Sequence, residues 1–148
     1  MSKIIGSTPA LALLPPEAFQ QGCPTRAILE EVTNRWSPLI LAALLGEPLR
    51  FSALNTKVQG ISQKMLSQNL KVLVRSGLVE RSVASTIPPQ VTYTLTASGT
   101  ELATMMCGLI HWMGGRTEQF RAAHERYDAD SNQFDLGSGH SAQEGAMA

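Results

Sequence analysis

Cysteine is scarce in this chain. There are two, Cys23 and Cys107, too few and too far apart for a zinc site of familiar spacing. Histidine is equally sparse: His111, His124 and His140 lie scattered, and no H-E-x-x-H, G-x-S-x-G or phosphate-cradling glycine loop is present. Neither a metal site nor a cofactor nor a catalytic constellation is therefore expected, and the sequence argues against an enzyme. Long apolar runs are missing too. The longest, Leu39 to Leu45, is bounded by Pro38 and Gly46 and reads as a short buried helix, not a membrane span. Ala10 to Leu14 is apolar but short, follows a single lysine and stops at Pro15-Pro16, so it does not read as a secretory signal. A cytoplasmic location is expected, with both cysteines as thiols. There is no internal repeat and no long low-complexity block.

Net charge is also absent, since 12 basic residues balance 12 acidic ones. The balance conceals a segregation. From Arg50 to Arg81 the chain carries Arg50, Lys57, Lys64, Lys71, Arg75 and Arg81 against Glu80 alone, while Glu118, Glu125, Asp128, Asp130, Asp135 and Glu144 collect after Thr117. A basic segment inside a neutral chain is the electrostatic footprint of a nucleic-acid partner. Binding through it should weaken steeply with salt, because each neutralised phosphate releases condensed counterions.

What is present is one domain's worth of chain, 148 residues of which 43% are apolar, enough for a single core. Its organising stretch is Leu49 to Thr96: a short strand, two helices joined at Gly60-Ile61, and a two-stranded ribbon. That order predicts a mainly α fold with a small β-wing, a winged helix-turn-helix. In the second helix Leu66, Leu70 and Leu73 fall at one helical period, widened by Met65 and Val72, and form a buried face. Lys64, Gln68 and Lys71 repeat the same spacing on the opposite side, with Ser67 beside them. Ser62 is a good N-cap and Gly77 a good αL terminator, so the helix should run from about 62 to 76.

A helix of that length fits the major groove of B-DNA, with its N-terminal residues aimed at base edges. Ser62, Gln63, Lys64, Ser67 and Gln68 are the candidates for reading bases. Arg50, Ser52, Lys71, Arg75 and Arg81 join them as candidate DNA contacts. Most polar helix faces are merely solvated; here the strand, turn and ribbon around the face favour DNA. The ribbon comprises Leu78 to Ala84 and Gln90 to Thr96, with Val91, Tyr93 and Leu95 alternating against polar neighbours. Ser85 to Pro89 form its tip, where proline belongs at an edge. Lacking Lys and Arg, the tip should touch backbone weakly through Ser85, Thr86 and Gln90.

Outside the motif, Cys23-Pro24 should open a helix to about Asn34 with Ile28, Leu29 and Val32 as its apolar face, and Ser37-Pro38 reads as an N-cap followed by an N1 proline. A long helix should start at Thr96 or Ser98. Along it Leu102, Met105, Met106, Leu109, Trp112 and Met113 make a stripe broader than a small core needs. We read this stripe as a homodimer interface, completed by the first helix of the second copy; a stripe that only closes the monomer core is the plainer alternative. Beyond Gly114-Gly115 a polar helix should run from Thr117 to Tyr127. The organisation expected is an arm over 1–22, a DNA-binding and dimerisation domain over 23–126, and a disordered polar tail over 127–148.

Taken together, Cys23-Pro24, Arg35-Trp36, Arg50-Phe51-Ser52, Gly60 through Leu66, Gly77-Leu78-Val79, Pro88-Pro89, Val91 through Thr96 and His111-Trp112-Met113 stand in one register. From Cys23 to Met113 the chain resembles the HxlR family of bacterial winged helix-turn-helix regulators, which are MarR-like. It departs from the family pattern at Gln90 and Thr92, where Arg and Glu are usual, and at Thr33-Asn34-Arg35, where a Gly-rich Gly-Lys pair is more common. The resemblance implies a homodimeric cytoplasmic regulator, in many members a repressor, bound to double-stranded DNA. Two copies related by a two-fold would read an imperfect palindrome with half-sites about 10 base pairs apart. The resemblance also implies that Cys23 senses a small electrophile or oxidant. A helix start is where the dipole favours a thiolate, although a buried, unreactive Cys23 is the alternative. A winged-helix interaction module without DNA binding is the rival function, favoured if Lys64, Gln68 and Lys71 are covered by protein.

Overall fold

The computed structural model describes residues 9–138, with side chains from Ala10 to Phe134. The expected arm before Pro9 and the expected tail after Ser138 lie outside the described residues. A single helical turn, α1 (Pro9–Ala12), precedes α2 (Pro24–Val32) and α3 (Ser37–Gly46); β1 (Leu49–Arg50) then leads into α4 (Phe51–Lys57) and α5 (Gln63–Arg75). The hairpin β2 (Val79–Ala84) and β3 (Gln90–Leu95) follows, and then α6 (Ala97–Gly114) and α7 (Thr117–Ser138). The fold is mainly α with one small antiparallel sheet of order β1-β3-β2. Tyr93 on the central strand stands opposite Leu49 on one side and Arg81 on the other.

The core forms where α3, α5 and the sheet meet. Leu66, Leu70 and Leu73 of α5 are fully buried against Ile40, Leu41 and Leu44 of α3, Leu54 of α4 and Val79 of β2. At about 1.5–3 kcal/mol for each large side chain, these are the residues that hold α5 in place. Two expected members of that apolar face differ: Met65 is exposed and Val72 only half-buried. They sit on the flank of the helix, where Leu66 and Leu73 have already met the core.

The ends of α5 are built as their residue types require. The Ser62 hydroxyl accepts the Met65 N–H at 3.1 Å. At the other end Gly77 adopts φ +72°, its N–H donates to the Val74 carbonyl, and the Leu78 N–H donates to that of Leu73. This pair of bonds is a Schellman motif, which satisfies carbonyls that the last turn would leave open. Gly99 has another task. A Cβ there would lie 1.9 Å from the Leu78 carbonyl oxygen, so glycine lets α6 start against the end of α5. Thr96 completes the junction, accepting the Gly99 N–H and donating to the Gly77 carbonyl.

Elsewhere the local expectations are corrected. Ser37 is not an N-cap but the first residue of α3, and Pro38 follows it. The cap is the Asn34 side chain, whose Oδ1 accepts the N–H groups of Trp36 and Ser37, both at 2.9 Å. This also ends α2 at Val32, because Asn34 has turned to serve the next helix. Of the apolar face expected on α2 only Val32 is buried; Ile28 and Leu29 are exposed. On α6, Met106 lies in the core with Ala103, and Leu102 packs partly against it. The core thus claims Met106 from the expected interface stripe, while Met105, Leu109, Trp112 and Met113 are exposed.

The chain divides into two compact units, with the break between Cys107 and Gly108. In the second unit the Trp112 and Phe120 rings meet edge to face with centroids 6.1 Å apart, and Arg116 stacks over Trp112. Helix α7 continues past Tyr127 to Ser138, through the first half of the expected disordered tail. No glycine or proline interrupts the sequence between Thr117 and Gly137. Arg121 pairs with both Glu118 and Glu125 along the helix, contacts that hold its guanidinium pKa above the ordinary value.

Candidate nucleic-acid interface

Helices α4 and α5 turn on Gly60, and Asn55 ties the turn by donating to the Ile61 carbonyl at 3.2 Å. With its leucines committed to the core, α5 presents Ser62, Gln63, Lys64, Gln68, Lys71 and Arg75 to solvent, and Ser67 is half-buried at the margin. The first turn of α5 contains no acidic residue, so nothing repels an approaching phosphate there. Among the described residues no ion pair engages Lys64, Lys71, Arg75 or Arg81. The face is therefore available to an anionic partner.

The remaining expected contacts lie on other elements. Ser52 is exposed on α4 and Arg81 on β2. Arg50 at the end of β1 donates to Gln90 Oε1 at 2.6 Å at the start of β3, so these two are a pair rather than independent contacts, and Gln90 fixes the direction of the guanidinium. At the wing tip the Thr86 hydroxyl donates to the Pro88 carbonyl, which leaves it less free for a backbone contact than the sequence suggests.

Asn69 is a buried polar residue beside the candidate face that sequence reasoning missed. It is buried on α5, its Nδ2 donates to the Met65 carbonyl at 2.8 Å, and its Oδ1 accepts the Ser37 hydroxyl at 3.2 Å. Ser37 is itself fully buried and accepts a bond from Asn34 Nδ2. This polar chain sets the position of α5 relative to the loop before α3. The readable signal was an amide on the leucine side of the helix, between Leu66 and Leu73. The two cysteines are free thiols; Cys23 is buried at the N-cap position of α2 and Cys107 is partly buried.

A serine-capped helix with an open basic and amide face, joined by a tight turn to a shorter helix and followed by a hairpin wing, defines the winged helix-turn-helix class of transcriptional regulators. Within that class the chain belongs to the HxlR-like helix-turn-helix family, whose model matches residues 31–120. It is 40% identical over 95 residues to YtfH of Escherichia coli (strain K12), an uncharacterized HTH-type transcriptional regulator, covering 64% of this chain and 75% of that one. The solved structure of YtfH from Salmonella typhimurium matches with a TM-score of 0.69 and 38% identity, over 72% of this chain and 96% of the other. The transcriptional regulator YodB from Bacillus subtilis, solved in its reduced form, matches with a TM-score of 0.54 and 36% identity, over 62% of this chain and 90% of that one; a diamide-treated form of YodB is similar too.

Proposed function

We propose that this protein is a sequence-specific DNA-binding repressor that acts in the cytoplasm as a homodimer on an imperfect palindrome and is controlled through the thiol of Cys23. The observation that carries the reading is the outward face of α5, where Lys64, Gln68 and Lys71 are exposed and Lys64 and Lys71 are free of ion pairs among the described residues. Gln and Lys suit bidentate and point contacts to adenine and guanine, and Lys71 and Arg75 suit phosphates. Nothing in the described chain covers this face, which disfavours an interaction module that has given up DNA.

Dimerisation is supported by the exposed apolar side chains Ile28 and Leu29 on α2 and Met105, Leu109 and Met113 on α6. Thiol control draws support from the likeness to YodB, solved reduced and after diamide. Because Cys23 is buried, an oxidant reaches it only when the start of α2 opens, a local event at the low-stability end of the molecule. The product would be a disulfide from Cys23 to Cys23 of a second copy, or to Cys107, with diamide taking up the two protons and two electrons that the thiols release.

The test is binding to the intergenic DNA beside the protein's own gene at two salt concentrations, with and without diamide, for the wild type and Cys23→Ser. Selective, salt-sensitive binding that diamide abolishes only when Cys23 is present supports the whole reading. Binding indifferent to diamide removes the thiol step, and absence of selective binding overturns DNA recognition in favour of the interaction module.

A further inference from the structure

Around the axis of α5 the core side is set by Leu66, Leu70 and Leu73 and the outward side by Lys64 and Lys71. Between them runs a flank made by Met65, Gln68 and Val72, and this flank is one wall of an open groove whose other wall is Arg35 and Trp36 from the loop between α2 and α3. The groove measures about 520 Å³, a volume that would suit a small molecule. Its polar lining decides otherwise. The Asn34 and Asn69 amides that border it are already bonded to Glu31, Trp36, Ser37 and Met65. Among the described residues the only charged one on its walls is Arg35, and none is acidic.

Arg35 is also held in place. Its guanidinium lies over the Trp36 ring at 4.7 Å from the centroid, and the Trp36 backbone is fixed by its N–H bond to Asn34. Among the described residues no ion pair engages it. A cation stacked on an indole keeps its outer N–H donors free and loses little rotamer freedom on binding. One guanidinium is therefore posted along the flank of the helix that carries Gln68, beside the face proposed to meet the duplex.

Resting on the DNA-binding reading above, we infer that Arg35, positioned by the Trp36 ring, is a phosphate clamp that grips the DNA backbone on the loop side of α5. It carries no sequence information of its own. It fixes the register of the helix in the groove, as phosphate contacts do, and leaves Gln68 and Lys64 to read bases.

The experiment compares the wild type with Arg35→Ala on two duplexes, the intergenic DNA beside the protein's own gene and a scrambled duplex of equal length, across a salt series. Arg35→Ala should weaken both duplexes by a similar factor, about threefold to tenfold, and reduce the slope of log K against log salt by about 1. Arg35→Lys should restore the slope, since the charge returns. Trp36→Leu should weaken binding with the slope unchanged, Trp36→Phe should recover the loss, and the Trp36→Leu effect should vanish in the Arg35→Ala background. Thermal melting of each variant identifies any that has lost its fold, and Arg35 is exposed enough that its variants should not. An unchanged slope for Arg35→Ala, or a loss confined to the intergenic duplex, overturns the clamp while leaving DNA recognition intact. Failure of the wild type to prefer the intergenic duplex would instead sink the reading on which the clamp rests.

Discussion

Glycine at position 99 shows how strictly single residues are specified here. The Leu78 carbonyl oxygen would sit 1.9 Å from any Cβ, and it is backbone held by the Thr96 N–H, so it cannot swing away as a flexible side chain could. Gly99→Ala should cost about 1–3 kcal/mol, the range of overpacked sites, and a denaturant melt should show the midpoint falling. A different signature is expected on the outer face of α5. Gln68 and Lys71 neighbour each other in space but have different chemistry. Gln68→Ala should lose about 1–3 kcal/mol of discrimination between sites with little change in salt slope. Lys71→Ala should weaken selected and scrambled duplexes alike and lower the slope by about 1. If the two variants behave identically, the division of the face into reading and gripping residues is wrong.

Among the elements, α5 was the most legible, and the reasons are local. Leucines at one period, a serine before them and a glycine after them all act within one helix, so the leucine face and both ends were readable, whereas exposed Met65, half-buried Val72 and buried Asn69 were not. The start of α3 was misread for the opposite reason. Ser37-Pro38 has the form of a local cap, yet Asn34, three residues upstream, supplies the bond, and Ser37 is drawn into the core to meet Asn69. Such a pairing between residues 32 positions apart leaves no periodic trace. On α6 the spacing identified the apolar residues but not which of them the core would take, since Met105 and Met106 differ only in direction. The Asn69 contact supplies a prediction at this scale. Asn69→Ala removes the bond from Ser37 and should cost about 1–2 kcal/mol, read as a shift in urea midpoint without a change in m. DNA affinity should fall at unchanged salt slope, because α5 keeps its charges but loses its fixed seat. A change in slope would show that Asn69 acts on the charged face itself.

For the whole molecule the question is what a single copy leaves unfinished. Ile28 and Leu29 on α2 and Met105, Leu109 and Met113 on α6 are exposed apolar side chains on regular helices, the residue types that the proposed dimer would cover. One copy also offers DNA a single reading helix, and a lone module of that kind binds weakly, whereas two linked copies gain about 10²–10⁴ in avidity without a new contact. Leu109→Glu puts a charge at the centre of the expected interface while leaving the core, whose last side chain from α6 is Met106, untouched. Sedimentation should show it as a monomer with an unchanged melting profile against denaturant at low protein concentration. On a duplex with two half-sites its affinity should fall at least about 100-fold, whereas on a single half-site it should match the wild type. Equal losses on both duplexes would mean that Leu109 supports the fold or the reading helix, and a dimer that survives the charge would move the interface to some other surface.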